Sequence, residues 1–353
     1  MSVTIGDVAR KAGVSKSTVS LVLNKRPNVS EDTRLKVLAT IESLNYKPLK
    51  AAQAITTKKT KNIGFMEIVV THDNPEKLAS KYGFATMIPT FAGDVARGIE
   101  EEAQRRGYGL LFNTYYGNLT HSIKEIPPMV TNYWIDGLLL IGGSFTEEFI
   151  TMLKKWKIPF VLVGSHLPSD NANCVFADNA SGVIQSVEYL INLGYSKIGF
   201  INGPSNTQTS FDKMQGYLLA LQKNDIEFDK NLVEAGDFSA LSGYEAMKRL
   251  LKRNKHLNAV FVGFDGMAIG AAKAITERGL KIPEDISIIG FEDSWIATHF
   301  NPPLTTVKVF KYEIGIAAAK MLFELLGSIR MSRPKKVIVP TELMIRKSCM
   351  PVK

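Results

Sequence analysis

The 353-residue chain is predicted to fold as a small all-α N-terminal head followed by a two-lobed α/β body with parallel sheets. In the head, apolar residues recur at helical spacing and basic residues are in excess. From residue 62 onward, apolar strand-like runs alternate with helical stretches, which is typical of parallel sheets covered by helices on both faces. The body has about 290 residues, more than one hydrophobic core usually holds, so two lobes are expected.

The composition excludes several classes of protein. Hydrophobic residues make up 45% of the chain and charged residues 22%, as in ordinary globular proteins. No apolar run reaches the roughly 18–20 residues of a membrane helix, and the N-terminus lacks the pattern of a signal peptide. The two cysteines, Cys174 and Cys349, are far apart, which is typical of a reducing compartment. We therefore expect a cytoplasmic protein with no membrane partner.

The positive charge is concentrated at one end of the chain. Residues 1–61 hold 12 basic and 4 acidic residues, whereas the rest of the chain holds 31 and 30. A basic head on a neutral body indicates a module that binds a polyanion such as nucleic acid. The alternative is a basic tail that serves solubility.

Three short helices are predicted in the head. Thr4 and Asp7 have capping-box spacing, and Gly13 is a natural C-terminal residue for the first helix. Ser15 and Ser30 are predicted to cap the second and third helices. The expected buried positions are Ile5, Val8, Ala9 and Ala12 in the first helix, Val19, Val22 and Leu23 in the second, and Leu35, Leu38, Ile41 and Leu44 in the third.

Two helices joined by a short turn that contains Gly form a helix-turn-helix arrangement, whose second helix can enter the major groove of DNA. The exposed face of that helix is predicted to carry Lys16, Ser17, Ser20, Leu21 and Asn24. Lysine can donate to guanine acceptors, and small hydroxyl residues allow close approach to phosphates. A three-helix bundle without a DNA role is the alternative.

The sequence from Thr4 to Asn24, together with residues 28–33 and 44–48, resembles the N-terminus of LacI/GalR-family transcription regulators. The resemblance implies a repressor that binds double-stranded, pseudo-palindromic operator DNA as a homodimer. It places DNA contacts at Thr4, Ile5, Ser15, Lys16, Ser17, Thr18, Ser20, Leu21, Asn24, Asn28, Ser30, Thr33, Tyr46, Ala52 and Ile55.

Two positions depart from the family pattern. Leu21 stands where the family usually has Arg, and Leu49 stands where it favours Asn. A bidentate Arg contact to guanine contributes about 1–3 kcal/mol of discrimination, which Leu21 cannot supply. Operator sequences of relatives therefore do not transfer to this chain.

The resemblance divides the chain into three parts. Residues 1–47 form the helix-turn-helix domain, residues 48–61 a hinge helix and linker, and residues 62–353 the effector-binding and dimerisation body. Ile55 would be the apolar wedge that enters the minor groove. A plain interdomain linker is the alternative for the hinge.

Landmarks of the same family continue through the body. They include 136–140, 203–204, 236–239, 282–291 and 303–307. They imply two lobes of periplasmic-binding-protein type, between which the chain crosses three times. The expected N-lobe spans about 62–165 plus 294–328, and the expected C-lobe spans about 166–293 plus 329–353.

Residues that follow the strands are the candidates for effector binding, because ligands of open α/β sheets bind outside the carboxyl ends of strands. They are Asn202, Thr209, Lys213, Phe238, Phe264, Asp265, Glu292 and Trp295. Lys213, Phe264 and Glu292 stand where relatives usually have Arg, Asn and Asp. One cation, one carboxylate and an aromatic ring favour a sugar or oligosaccharide as effector. For each residue alone, packing is the alternative.

The segment from Thr71 to Phe91 matches no family landmark and is longer than the usual strand–helix loop. It contains Tyr82, Phe84 and Phe91. We expect it at the mouth of the cleft or on the neighbouring lobe surface; an ordinary surface insertion is the alternative.

Enzyme motifs are missing from the sequence. It has no Gly-x-Ser-x-Gly elbow, Walker motif or His-Glu-x-x-His, and the five histidines have no metal-ligand spacing. We therefore expect no catalysis, metal or cofactor. His166 follows a strand and is interpreted as a hydrogen-bonded surface residue, with contact to a ligand as the alternative. A solute-binding protein, or a sugar-modifying enzyme that uses Asp265 and Glu292 as its acid/base pair, remains the alternative.

Overall fold

The computed structural model describes residues 3–23, 26–46, 59–69, 90–116, 128–132, 134–142, 145–169, 171–327 and 333–352. The chain divides into two compact units, residues 1–61 and 62–353. The predictions for Asn24, Ala52, Ile55, the hinge over 48–58 and the insertion over 71–89 fall outside the described residues.

The head consists of three helices, α1 (Ile5–Ala12), α2 (Lys16–Leu23) and α3 (Glu31–Ser43). The backbone N–H of Asp7 donates to Oγ1 of Thr4, and the N–H of Thr4 donates to Oδ2 of Asp7 at 2.9 Å. Gly13 ends α1 with φ = 65°, a conformation that costs glycine little because it has no Cβ. The predicted capping box and helix end are therefore confirmed.

The core of the head is formed by Val8, Ala9, Ala12, Val19, Val22 and Val37. The prediction for α3 was partly wrong, since Leu35 is 58% and Leu38 46% exposed. In their place Val37 and Thr40 are buried, with Ile41 and Leu44 packed at the margin. Apolar residues occur on two sides of α3, so only its contacts with α1 and α2 determine which side is buried.

The body contains twelve strands among its described residues. Its strands are β1 (Asn62–Val69), β2 (Gly109–Tyr116), β3 (Gly137–Gly142), β4 (Phe160–Val163), β5 (Cys174–Ala177), β6 (Ile198–Asn202), β7 (Val233–Ala235), β8 (Ala259–Val262), β9 (Ser287–Glu292), β10 (Thr305–Val309), β11 (Lys336–Val339) and β12 (Thr341–Met344). Its α-helices are α4 (Thr90–Arg105), α5 (Pro128–Thr131), α6 (Glu147–Lys155), α7 (Asn179–Asn192), α8 (Gln208–Lys223), α9 (Ala240–Arg253), α10 (Asp265–Glu277), α11 (Trp295–His299) and α12 (Lys311–Gly327).

These strands form two six-stranded sheets, one in each lobe. The N-lobe sheet has the order β11-β5-β4-β3-β1-β2 and is parallel throughout. The C-lobe sheet has the order β12-β10-β9-β8-β6-β7, with all neighbours parallel except β10 and β12. The predicted two-lobed body with parallel sheets is confirmed, with one antiparallel edge strand in addition.

The chain passes between the lobes at Asp178, Phe310 and Pro340, since β5 and β11 pair in the N-lobe sheet and β10 and β12 in the C-lobe sheet. The expected lobe boundaries near residues 165, 293 and 328 assigned β5, β10 and β11 to the wrong lobes. These strands have only four or five residues each, so no long apolar run marked them in the sequence.

Glycines allow close approach of the helices that cover the sheets. A Cβ built on Gly98 of α4 would lie 2.1 Å from the carbonyl oxygen of Tyr312, which belongs to α12. A Cβ on Gly315 of α12 would lie 2.1 Å from the carbonyl oxygen of Val95. The α4–α12 contact therefore requires glycine on both helices.

Candidate functional site

The first candidate surface is α2 of the head. The Oγ of Ser15 accepts the backbone N–H of Thr18 at 3.1 Å and so caps the helix. Val19 and Val22 face the core, which leaves Lys16, Ser17 and Leu21 exposed and Thr18 and Ser20 partly exposed. The structure thus brings the described members of the predicted DNA-reading face together on one side of α2.

The helix N-termini of the head carry the other predicted contacts. Thr4 caps α1 and Ser30 caps α3, and both side chains are exposed. The Oγ of Ser30 also lies 2.8 Å from Oγ1 of Thr33. The amide groups of a helix N-terminus attract phosphate, so these caps suit contacts to a DNA backbone.

Ile5 and Tyr46 differ from the rest of the predicted set. Both are partly buried against the core of the head, whereas Asn28 is exposed. Their apolar atoms help to hold the three helices together. Any contact that they make with DNA would therefore come in addition to a packing role.

The second candidate surface lies at the carboxyl edge of the C-lobe sheet. All eight predicted effector residues belong to this lobe. They lie at the ends of strands or on the helices that follow: Asn202 ends β6, Thr209 and Lys213 lie on α8, Phe238 precedes α9, Phe264 and Asp265 begin α10, Glu292 ends β9, and Trp295 begins α11.

Lys213 is a buried cation, only 6% exposed. Its Nζ donates to the carbonyl oxygen of Gly263 at 2.7 Å and lies 4.0 Å from the ring centroid of Phe291. Burial lowers the pKa of Lys213 to about 8, while the negative charge of Glu292 acts in the opposite direction. The ammonium is therefore held between a carbonyl, an aromatic face and a nearby carboxylate.

Glu292 is 2% exposed and has φ = 119°, an unusual backbone conformation for a residue with a side chain. Such strain often accompanies ligand sites. Its Oε1 lies 3.5 Å from Nζ of Lys311, which also lies 3.4 Å from Oδ2 of Asp94. Lys311 and Asp94 belong to the N-lobe, so this buried lysine links the two lobes.

Lys311 and Asp94 were not predicted as site residues. Lys311 comes two residues after the end of β10, a strand that was not predicted from the sequence. Ligands of open α/β sheets bind outside the carboxyl ends of strands, so a predicted strand at residues 305–309 would have made Lys311 a candidate as well.

Two aromatic rings lie at the same edge of the C-lobe sheet as the charged residues. The centroids of Phe238 and Phe264 are 5.6 Å apart with an interplanar angle of 71°, and both side chains are half-buried. Phe238 has φ = 71°, and a Cβ built on Gly203 would come within 2.4 Å of its ring. Trp295 is 57% exposed on α11. The edge of the lobe therefore offers aromatic surface beside buried charge.

The structure corrects the predictions for Asn202 and Asp265, whose polar atoms are occupied inside the protein. Asn202 donates to the carbonyl oxygen of Ser210 and accepts the N–H of Gly203, both at 2.8 Å. Asp265 is fully buried and accepts hydrogen bonds from Thr306 at 2.7 Å and from the N–H and hydroxyl of Ser294. Both residues brace the strand ends and do not present free groups to a ligand.

Burial raises the pKa of Asp265 to about 7, and the charge of Glu292 acts in the same direction. This carboxyl is nevertheless enclosed by Ser294 and Thr306. An acid/base pair of Asp265 and Glu292 would need both groups to reach a substrate, so the geometry does not favour the sugar-modifying enzyme.

Neither a metal site nor a membrane span is found in the described residues. They contain no group of three or more His, Cys, Asp or Glu side chains arranged to hold a metal ion. None of the described helices has the length and apolar composition needed to cross a bilayer.

A helix-turn-helix head followed by a two-lobed α/β body defines a class of regulatory DNA-binding proteins. Residues 4–48 match the model of bacterial regulatory proteins of the lacI family, and residues 187–349 match the periplasmic binding protein-like domain. The chain belongs to the lacI family and is a DNA-binding transcriptional repressor.

Relatives match over nearly the whole chain. Catabolite control protein A of Priestia megaterium is 33% identical over 91% of this chain and 92% of its own length. The HTH-type transcriptional repressor PurR of Histophilus somni is 33% identical over 98% of both chains.

Solved structures show the same architecture. The complex of the transcriptional regulator CelR with cellobiose has a TM-score of 0.72 and 29% identity, covering 98% of this chain and 99% of its own. The lac repressor dimer bound to operator and the anti-inducer ONPF has a TM-score of 0.80 and 26% identity, covering 99% of this chain and 100% of its own.

Proposed function

We propose that this repressor is controlled by a carbohydrate, a sugar or oligosaccharide, which binds between the lobes against the carboxyl edge of the C-lobe sheet. The observation that carries the proposal is that the buried charges Lys213 and Glu292 and the aromatic pair Phe238 and Phe264 lie at the same edge of the C-lobe sheet. The structure of a relative with cellobiose supports the same ligand class.

The chemistry of these groups suits a polyhydroxy ligand. A hydroxyl both donates and accepts hydrogen bonds, so it can satisfy a carboxylate and an ammonium in turn. The apolar C–H face of a sugar ring packs on an aromatic ring, for which Phe264 and Trp295 offer surface. Ligand sites of this kind combine apolar walls with few polar groups that fix orientation.

A thermal-shift screen of the full chain tests this ligand class. We expect a mono- or oligosaccharide to raise the melting temperature according to RT ln(1 + [L]/Kd). Glu292→Gln keeps the volume of the side chain and should reduce that shift, whereas Glu284→Gln, on an exposed loop of the same lobe, should not. A nucleobase that stabilises the chain when no sugar does would contradict the proposal.

For DNA, we assign base contacts to Lys16, Ser17 and Leu21, which are exposed on α2. Backbone contacts are assigned to the capping hydroxyls Thr4, Ser15 and Ser30 together with Thr18, Ser20, Asn28 and Thr33. Ile5 and Tyr46 would support these contacts from the core, and Asn24, Ala52 and Ile55 complete the predicted set. The protein would act in the cytoplasm, where its operator is.

We further propose a homodimer that binds a pseudo-palindromic operator, because two-fold symmetric DNA sites match two-fold symmetric proteins. Leu241 on α9 and Ile269 on α10 are 46% and 41% exposed and offer apolar surface for such contact. Light scattering should give the mass of a dimer for the parent chain. A monomer mass for the parent chain would contradict the homodimer. A dimer mass that Leu241→Lys leaves unchanged would contradict the assignment of this surface.

A further inference from the structure

His166 and Asp212 meet across the two lobes. His166 lies between β4 and β5 of the N-lobe, and Asp212 lies on α8 of the C-lobe. Nε2 of His166 is 2.9 Å from Oδ2 of Asp212, and the side chains are only 14% and 16% exposed. An interaction of this length and burial is stronger than an exposed ion pair.

Both partners are held in place by their own lobes. The ring of His166 stacks on Phe176 of β5, with centroids 4.2 Å apart and planes at 24°, and its Nδ1 lies 3.2 Å from the carbonyl oxygen of Leu167. The other oxygen of Asp212 accepts a hydrogen bond from Gln208 at 3.0 Å. Because each side chain also has partners within its own lobe, the contact is expected to cost little side-chain entropy.

The contact lies next to the proposed effector residues. Asp212 precedes Lys213 on α8, and its negative charge favours the charged form of that lysine. All eight predicted effector residues are on the C-lobe, whereas His166 is an N-lobe side chain that reaches α8 directly. The pair therefore connects the helix that carries Lys213 to the opposite lobe.

We propose that His166 and Asp212 are positioning residues of the effector cleft, whose contact holds the two lobes in the closed arrangement. The proposal rests on the proposed function for its biological meaning. Rotation of one lobe about the crossings at Asp178, Phe310 and Pro340 separates the two side chains, so the open arrangement lacks the contact. The pair thus sets how much of the closing free energy is present before an effector binds.

The distance between the lobes in the full chain, without ligand, tests the proposal. Spin labels at Lys154→Cys on α6 and Gln222→Cys on α8, both exposed positions, report this distance by pulsed electron resonance. Dilution of labelled chains with excess unlabelled chains isolates the distance within one molecule.

We expect His166→Ala and Asp212→Ala each to lower the closed-to-open ratio about 5-fold, since the interaction is of the order of one net hydrogen bond. The double variant should match the single variants, because either change removes the whole contact. His166→Gln keeps an N–H donor and should restore much of the ratio. His256→Ala, an exposed histidine of the C-lobe, is the matched control and should have no effect.

Three outcomes would each overturn the proposal. The distances could be unchanged in both alanine variants, the double variant could lower the closed-to-open ratio by the sum of the two single effects, or His166→Gln could lower the ratio as much as His166→Ala. Two independent alanine variants guard against loss of folding in one of them. The measurement uses no effector, so its failure leaves the sugar proposal standing. Conversely, if the alanine variants lower the closed-to-open ratio but no sugar stabilises the chain, only the proposed function is rejected.

Discussion

At the scale of the residue, Asp265 shows how a side chain near a ligand site can serve the fold. Its two oxygens receive hydrogen bonds from Ser294 and Thr306, which joins the start of α10 to the segment after β9 and to the start of β10. Burial raises the pKa of this carboxyl to about 7. The folded state therefore binds a proton more tightly than the unfolded state does.

Asp265→Asn should destabilise the body in a pH-dependent way. An amide nitrogen facing donor groups leaves buried partners unsatisfied, at a cost of about 1–3 kcal/mol. Because the folded pKa of Asp265 lies above its value of 3.8 in the unfolded chain, the stability it contributes is complete below about pH 4 and declines as pH rises towards 7. The difference in unfolding free energy between parent and variant, from denaturant titrations, should thus shrink over this range. A difference that grows with pH would contradict the raised pKa.

Lys16 provides the residue-scale prediction for the head. Lys16→Ala should change which operator bases are preferred, since Lys16 is exposed on α2 and can donate to guanine. Lys11→Ala removes the same charge from α1 and should weaken binding to all DNA sequences alike. Selection of bound sequences from a random DNA library compares the two. If both variants keep the base preferences of the parent, α2 is not the reading helix.

At the scale of the element, the contact between α4 and α12 depends on glycine. Gly98→Ala would place a methyl group against the carbonyl oxygen of Tyr312, so the helices must move apart at a cost of about 1–3 kcal/mol. Gly93→Ala, on the same helix, meets nothing within 4 Å and should stabilise the chain by up to about 1 kcal/mol. Thermal melts distinguish the two. Equal effects of both substitutions would show that this crossing is not tight.

The elements that the sequence predicted well have local signals. Thr4, Ser15 and Ser30 mark the helix starts of the head because capping is a contact between neighbours in sequence. The lobe of the short strands β5 and β11 was assigned wrongly because these two strands pair with each other, and that pairing joins distant parts of the chain. In α3, apolar residues lie on two sides of the helix, so the sequence alone did not show which side is buried. The packing against α1 and α2 decides it.

The candidate site could be predicted only in part, for a related reason. The rule for strand ends placed Lys213, Glu292 and the phenylalanines at one edge. It could not show that Asn202 and Asp265 are bound to protein groups, because Ser294 and Thr306 are far from Asp265 in sequence. Nor could it show that His166 contacts Asp212, since that distance depends on how the lobes are arranged.

At the scale of the whole molecule, the chain joins a basic head to a nearly neutral body. Residues 1–61 carry a charge balance of +8, so operator affinity should fall steeply with salt, with a slope of about −0.9 for each phosphate neutralised. The body carries the proposed effector residues, all outside the head. Changes in the cleft should therefore alter the response to effector without altering DNA binding in its absence.

Operator affinity measured with and without the sugar identified by thermal shift is the most direct test of the central claim, that a ligand in the cleft controls DNA binding. Lys213→Met and Glu292→Gln should bind operator as the parent does when no sugar is present. Each should need about 10-fold more sugar to respond, since a lost buried hydrogen bond to a charged group costs about 1–3 kcal/mol. Variants that respond at the same sugar concentration as the parent would contradict the claim and place the effector elsewhere.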